Sequence, residues 1–216
     1  MTITTYPLCP FRLQATNAGP RSSGVHLSGI LRKMALKYGK LPAEYASSNL
    51  GQLIRDTAFE DAGRVPQLVK AAFGMAWEDW IVRHVGSWCP GFIHQPGELI
   101  RDNIRGNLDG ISFNDAGQPV VHEFKFTFKS MSRSIADEWL WLAQITGYAA
   151  LVREYLGQSC TEAFLHVAYA MGDYSRGDGS GPKYQPYRIL MEEEEVERAW
   201  GEIVKHAAEA EPEVWE

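Results

Sequence analysis

The chain has 216 residues, 45% of them hydrophobic, enough to bury a sizeable core and to fit one domain. No secretory apolar segment opens the sequence and no apolar run approaches the length of a membrane span, so a cytoplasmic protein with no membrane partner is expected. The formal net charge of −6 is concentrated in residues 192–216, which carry 10 acidic and 2 basic side chains; the remainder is mildly basic and compatible with phosphate contact.

Residues 1–24, with Pro7, Pro10 and Pro20, read as an extended or irregular arm. Ser28 then N-caps a helix in which Ile30, Leu31, Met34, Ala35 and Tyr38 recur at helical spacing and Gly39 supplies the stop. Its outer side carries Arg32, Lys33, Lys37 and Lys40, a solvated face or a phosphate-facing one. A short helix near residues 50–59 follows. Pro66 opens a stronger helix to about Gly86, whose Phe73, Trp77, Trp80, Ile81 and His84 make a broad apolar stripe suited to lying on a sheet. Glu78 stands at the rim of that stripe, where a carboxylate is either merely solvated or aimed at a site.

Residues 92–104 supply a strand or two. After residue 125 a polar connection to Ser134 carries Lys129 and Arg133, where a nucleic-acid backbone could be gripped. A long helix from about Ile135 to Leu156 places Trp141, Gln144, Tyr148, Leu151 and Tyr155 on one stripe, with Gln144 and Tyr148 one turn apart. Strands over 163–171 and 184–191 flank a glycine-rich loop, and those glycines follow neither P-loop nor dinucleotide-binding spacing. The Arg176-Gly177-Asp178 triplet in that loop is a chance match to an adhesion motif. The chain closes with a helix from Glu192, its acidic first turn matched to the helix dipole and its inner face made of Val196, Ala199, Trp200, Ile203 and Val204.

The chemistry gathers between Gly106 and Lys125. Leu108, Ile111 and Phe113 precede Asn114, Asp115, Gly117 and Pro119, and Val120, Val121, Phe124 and Phe126 follow, which is a hairpin pattern. A turn centred near Ala116 and Gly117 puts Asp109 within a residue of the position opposite Phe124. Glu123 and Lys125 then share one face beside Asp109, and Phe124 points to the other. Two hard carboxylates with no Cys or His beside them suit Mg²⁺ or Mn²⁺ rather than Zn²⁺, and a neighbouring ammonium can orient a water or offset charge on a phosphate oxygen. The alternative is an exposed hairpin face decorated with a Glu/Lys pair.

Other chemistries lack support. Cys9, Cys89 and Cys160 lie far apart with no C-x-x-C pair, against a zinc site, an iron–sulfur cluster or a disulfide framework. No Ser or Cys occupies a nucleophile-elbow pattern with a usable His. The six histidines show no metal-ligand spacing and read mostly as surface or boundary residues, His122 pointing away from the Glu123 face.

Four segments in order resemble the PD-(D/E)XK nucleases, in the branch that includes RecB-type and lambda-type exonucleases: Gly74-x-x-x-Glu78 on a helix, Gly106-Asn107-Leu108-Asp109 at a strand, Glu123-Phe124-Lys125 on the next strand, and Gln144-x-x-x-Tyr148 on the helix after it. The segment Ser28 to Arg32 is similar to the branch's serine-led N-terminal helix. The matches span roughly residues 28–170. Leu108 stands where the family name has its proline, and cluster-binding cysteines found in some relatives are missing.

The resemblance implies an α/β fold with a restriction-endonuclease-like core, a central mixed β-sheet flanked by helices, as one nuclease domain over residues 1–216 including the arm and the acidic C-terminal helix. It implies that Asp109, Glu123 and the main-chain carbonyl of Phe124 hold one or two Mg²⁺ or Mn²⁺ ions, that Glu78 completes the metal site directly or through water, and that Lys125 orients or activates the attacking water. Gln144 and Tyr148 would position the DNA strand or the hairpin, with Ser28, Arg32 and Lys129 as further DNA contacts. The expected activity is metal-dependent hydrolysis of DNA phosphodiesters, as an exonuclease of bacteriophage-type recombination or repair. An expected partner is a single-strand annealing or other recombination protein, and closure of a homo-oligomer into a ring around DNA fits the branch. The alternatives are a catalytically silent DNA-binding or scaffold member and a structure-specific endonuclease.

Overall fold

The computed structural model describes residues 1–5, 24–40, 65–173 and 182–208. In chain order its elements are strand β1 (Thr2–Thr5), strand β2 (Val25–His26), helix α1 (Leu27–Lys37), helix α2 (Val65–Trp88), and strands β3 (Ile93–His94), β4 (Glu98–Arg101), β5 (Ile104–Asn107), β6 (Gly110–Phe113) and β7 (Pro119–Thr127). A 3₁₀ turn (Ile135–Asp137), helix α3 (Trp139–Leu156), strands β8 (Glu162–Tyr169) and β9 (Lys183–Leu190) and helix α4 (Glu193–Ala207) complete it. The main sheet runs β1-β9-β8-β7-β6-β3, and a smaller one runs β2-β5-β4. Within the main sheet β7 and β8 are parallel and every other pair is antiparallel. This is the mixed sheet flanked by helices that the sequence led us to expect, consistent with a restriction-endonuclease-like core.

Parallel neighbours need a crossover, and α3 provides it between β7 and β8. A helix in that position is enclosed on several sides, so a one-sided apolar stripe is not enough. Accordingly Ile145 to Val152 are all buried, and α3 contacts β4, β7, β8, α1 and α4. On the opposite face of the sheet α2 lays Ile81, Val82 and Val85 against Phe124, with Trp77, Trp80 and Tyr184 around them. The stripe read from the sequence therefore lies on the sheet where its side chains are described. Alternation along β7 divides its residues between two environments: Val121 joins the core under α3 and Phe124 the cluster under α2.

Several sequence expectations shift. Thr2–Thr5, assigned to an irregular arm, pair with β9 at the sheet edge; the rest of that arm, the helix near 50–59, the Arg176-Gly177-Asp178 triplet and the end of the acidic tail lie outside the described residues. Helix α1 begins at Leu27 with His26 as its capping residue, so Ser28 is not the N-cap. Gly39, at φ 63, does end that helix in the left-handed conformation. Tyr155 is 70% exposed and Val204 faces solvent rather than the inner faces of α3 and α4. Strand β7 continues through Thr127, which shortens the expected connection after Lys125.

The largest correction concerns histidine. His26, His84, His122, His166 and His206 are all buried, and each finds a polar or ring partner inside. His122 meets Ser112 Oγ at 2.8 Å and His166 Nε2 at 3.0 Å, and His166 Nδ1 meets the Tyr184 hydroxyl at 2.7 Å. Burial depresses His122 to about 3 and pushes His166 well below its ordinary value, helped there by His122 and His84. Both folded-state values lie under the unfolded one of about 6.5, so the neutral rings contribute stability that is complete above that pH and is lost as pH falls toward the folded values. Thermal melts should therefore show a falling melting temperature from about pH 6.5 to 4.5, and a His166→Gln protein should show a shallower fall.

Candidate active site

The chain leaves the small sheet at Asn107 and enters the main one at Gly110, so Leu108 and Asp109 bridge the two. Leu108 is fully buried at this crossing and anchors it. The hairpin read as a single pair of strands is thus split at its first strand, yet the pairing survives: Gly110 lies opposite His122, which sets Asp109 beside Glu123 and Phe124. Asp109 Oδ2 accepts a 2.7 Å hydrogen bond from the Phe124 amide. The turn runs through Asn114 to Gln118, where the Asn114 side chain accepts from the amides of Ala116 and Gln118.

On the α3 side of β7, Lys125 Nζ donates to Glu123 Oε1 and, at 2.9 Å, to Gln144 Oε1. Gln144 in turn donates from Nε2 to the Tyr148 hydroxyl at 2.9 Å. The pair one helical turn apart therefore forms a relay that ends on the lysine. Gly106 makes room for it: a Cβ there would lie 2.4 Å from Leu151 Cδ1 and 3.2 Å from Tyr148 Cε1. Glu78 approaches from α2, with Oε1 accepting from Gln95 Nε2 at 2.7 Å and lying 3.2 Å from His94 Nε2. Sequence reasoning missed both His94 and Gln95.

Electrostatics tie these groups together. Burial, and then the Glu123 charge, raise Asp109 well above the ordinary carboxylate range against the pull of Lys125 and the Phe124 amide. Burial also raises Glu123, opposed chiefly by Lys125. Burial works against the Lys125 charge, but Glu123 and Asp109 outweigh it and hold the ammonium above its usual value. Glu78 goes the other way, its carboxyl lowered first by the His94 hydrogen bond, against burial, and then by Gln95 and the more distant Lys125. Two carboxylates crowded in one buried place with one cation leave a surplus of negative charge.

Glu123 is 1% exposed, and its Oε2 is buried without a hydrogen-bond donor. An unpaired carboxylate oxygen of this kind is a position that a hard cation or a water could take. The donor set fits such an ion, since carboxylates are the ligands Mg²⁺ and Mn²⁺ prefer. Among the described residues no three His, Cys, Asp or Glu side chains stand close enough to hold an ion by themselves. Of the other expected contacts, Lys129 is ion-paired with Glu138 and lies 5.2 Å over the Trp141 ring. Ser28 is exposed and Arg32 half-buried on α1, and neither is hydrogen-bonded or ion-paired with the cluster.

No family model matches the sequence, and no curated protein matches it. Among solved structures, the crystal structure of a phage related exonuclease from Haemophilus somnus 129PT is 15% identical, with a TM-score of 0.42 over 86% of this chain and 92% of that one. The crystal structure of SSO0001 is 12% identical, with a TM-score of 0.36 over 84% of this chain and 75% of that one. Likenesses this distant carry no functional weight, and the site's own geometry must supply it.

The raised Asp109 value makes a prediction about stability. A carboxyl whose folded value lies above its unfolded one imposes no penalty at low pH and an increasing one as pH rises and it ionises. Asp109→Asn keeps an acceptor for the Phe124 amide and removes that charge. In chelator the variant should melt a few degrees above the parent at pH 8, with the gap closing toward pH 4, as read by calorimetry.

Proposed function

We propose that the protein is a divalent-metal-dependent deoxyribonuclease that degrades DNA from ends. The observation that carries this reading is the convergence of Asp109, Glu123 and Lys125, with Glu123 Oε2 buried and lacking a donor. A scaffold has no use for such an arrangement, because a buried carboxylate with a half-buried one beside it costs stability that packing alone would avoid.

Asp109 and Glu123 would hold one or two Mg²⁺ or Mn²⁺ ions, with the main-chain carbonyl of Phe124 and waters filling the remaining positions. Such an ion supplies Lewis-acid polarisation of a phosphodiester and a more acidic water. Glu78 would complete the site directly or through a water. Lys125, held charged, cannot accept a proton; its part is to orient the attacking water and to meet the negative charge that grows on the phosphate oxygens. Gln144 fixes the ammonium direction, and Tyr148 fixes Gln144. Lys129 enters as a reserve cation: a DNA phosphate would have to compete with Glu138 for it. A recombination protein as partner, and a ring of subunits around DNA, extend the same reading.

The test uses end-labelled linear DNA and closed circular DNA, each with and without Mn²⁺. Linear DNA should be degraded only with metal and circular DNA spared. Lys125→Ala and Asp109→Ala proteins should stay folded and lose activity by roughly 100-fold or more. Full activity in either variant would sink the assignment; tight DNA binding with no cleavage under any metal condition would replace it with a silent binding protein, and nicking of the circle would make it an endonuclease.

A further inference from the structure

Strand β3 contributes only Ile93 and His94 to the main sheet, with His94 opposite Gly110. Gln95 carries the ladder one step further, its amide donating to the Asp109 carbonyl at 3.0 Å. At that point the backbone turns through φ 45, in the left-handed region. The turn brings the Gln95 side chain back toward α2, where its amide nitrogen donates to Glu78 Oε1 at 2.7 Å. His94 Nε2 lies 3.2 Å from the same oxygen, and its ring stacks on Phe124 at 6.5 Å between centroids. One residue therefore touches the backbone of Asp109 and the side chain of Glu78, two groups delivered by different elements. Among the described residues both hydrogen-bonding neighbours of Glu78 approach Oε1, which leaves Oε2 to meet a water or an ion.

We propose that Gln95 is a positioning residue that fixes Glu78 relative to Asp109 and so sets the affinity of the site for its divalent ion; this rests on the metal-dependent reading above. The alternative is a turn residue whose side-chain contact is incidental. The backbone argues against it. Positive φ disfavours a glutamine, and Pro96 restricts the preceding residue further, so a turn with no other duty would be cheaper with Gly or Asn. A neutral amide is also the right kind of donor for this task. Lysine or arginine would hold Glu78 but cancel the charge that a cation site needs, whereas an amide directs the carboxylate and leaves it negative.

Gln95→Gly and Gln95→Asn separate the two readings, because both residues accept the left-handed backbone and neither places an amide on Glu78: glycine lacks a side chain and asparagine is one methylene short. Mn²⁺ binding is measured by titration calorimetry without DNA, alongside melting temperature and kcat and KM on linear DNA across a Mn²⁺ series. The expected result is Mn²⁺ binding weakened about tenfold, with cleavage recovered to within about threefold at saturating Mn²⁺ and DNA KM unchanged. The melting temperature should hold or rise, since the strain is relieved. In a Glu78→Ala background, Gln95→Gly should weaken Mn²⁺ binding no further, because its effect passes through that carboxylate. Unchanged Mn²⁺ affinity in both variants, or an undiminished effect in the Glu78→Ala background, overturns the role of Gln95 while leaving the nuclease reading intact. A parent protein that binds no Mn²⁺ overturns both.

Discussion

Everything at the candidate site depends on a charge imbalance that the fold has to carry. Asp109 and Glu123 are brought side by side where the chain crosses from the small sheet to the main one, and among the described residues Lys125 is the cation bonded to Glu123. One positive charge cannot satisfy both carboxylates, and burial first, then neighbouring carboxylate charge, holds both above the ordinary carboxylate range.

The sheet keeps this charged place apart from its other polar interior. On the α3 side lie Asp109, Glu123, Lys125 and the Gln144–Tyr148 relay; on the α2 side lie Glu78, Phe124, the aromatic cluster and the chain from Ser112 through His122 and His166 to Tyr184. Strand β7 serves both, alternating Glu123 and Lys125 with His122 and Phe124. A one-residue slip of its register would exchange the two faces, putting histidines under α3 and carboxylates among tryptophans. The parallel pairing with β8 and the antiparallel pairing with β6 fix that register from both edges.

Much of this was legible in the sequence because it rests on short periods. The alternation around the turn placed Asp109 within a residue of its observed partner, and a four-residue helical step placed Gln144 over Tyr148. The break at Leu108 and Asp109 was not legible, since a strand that changes sheets keeps its apolar alternation. Nor were the buried histidines: a single imidazole between apolar neighbours looks the same whether it faces solvent or another ring, and the pairing of His122 with His166 spans 44 positions. Gln95 carried no signal except its place before Pro96, because its two contacts arise from a backbone angle that residue type does not announce. Tyr155 and Val204 were misplaced for simpler reasons: the stripe on α3 runs into solvent at the helix end, and on α4 the buried line passes through Ile203 and His206 and leaves Val204 to one side.

The turn from Asn114 to Gln118 sits about 16 Å along β7 from Glu123, at the far end of the hairpin from the carboxylates. It decides which residues of β6 and β7 face each other, but it takes no part in what they do. Its exposed tip at Asp115 to Gln118 is therefore a place where the chain can vary in length and composition at little consequence, provided the flanking pair keeps step. Alignment and charge are held at opposite ends of one hairpin, so that the end open to change is not the end that carries the carboxylates.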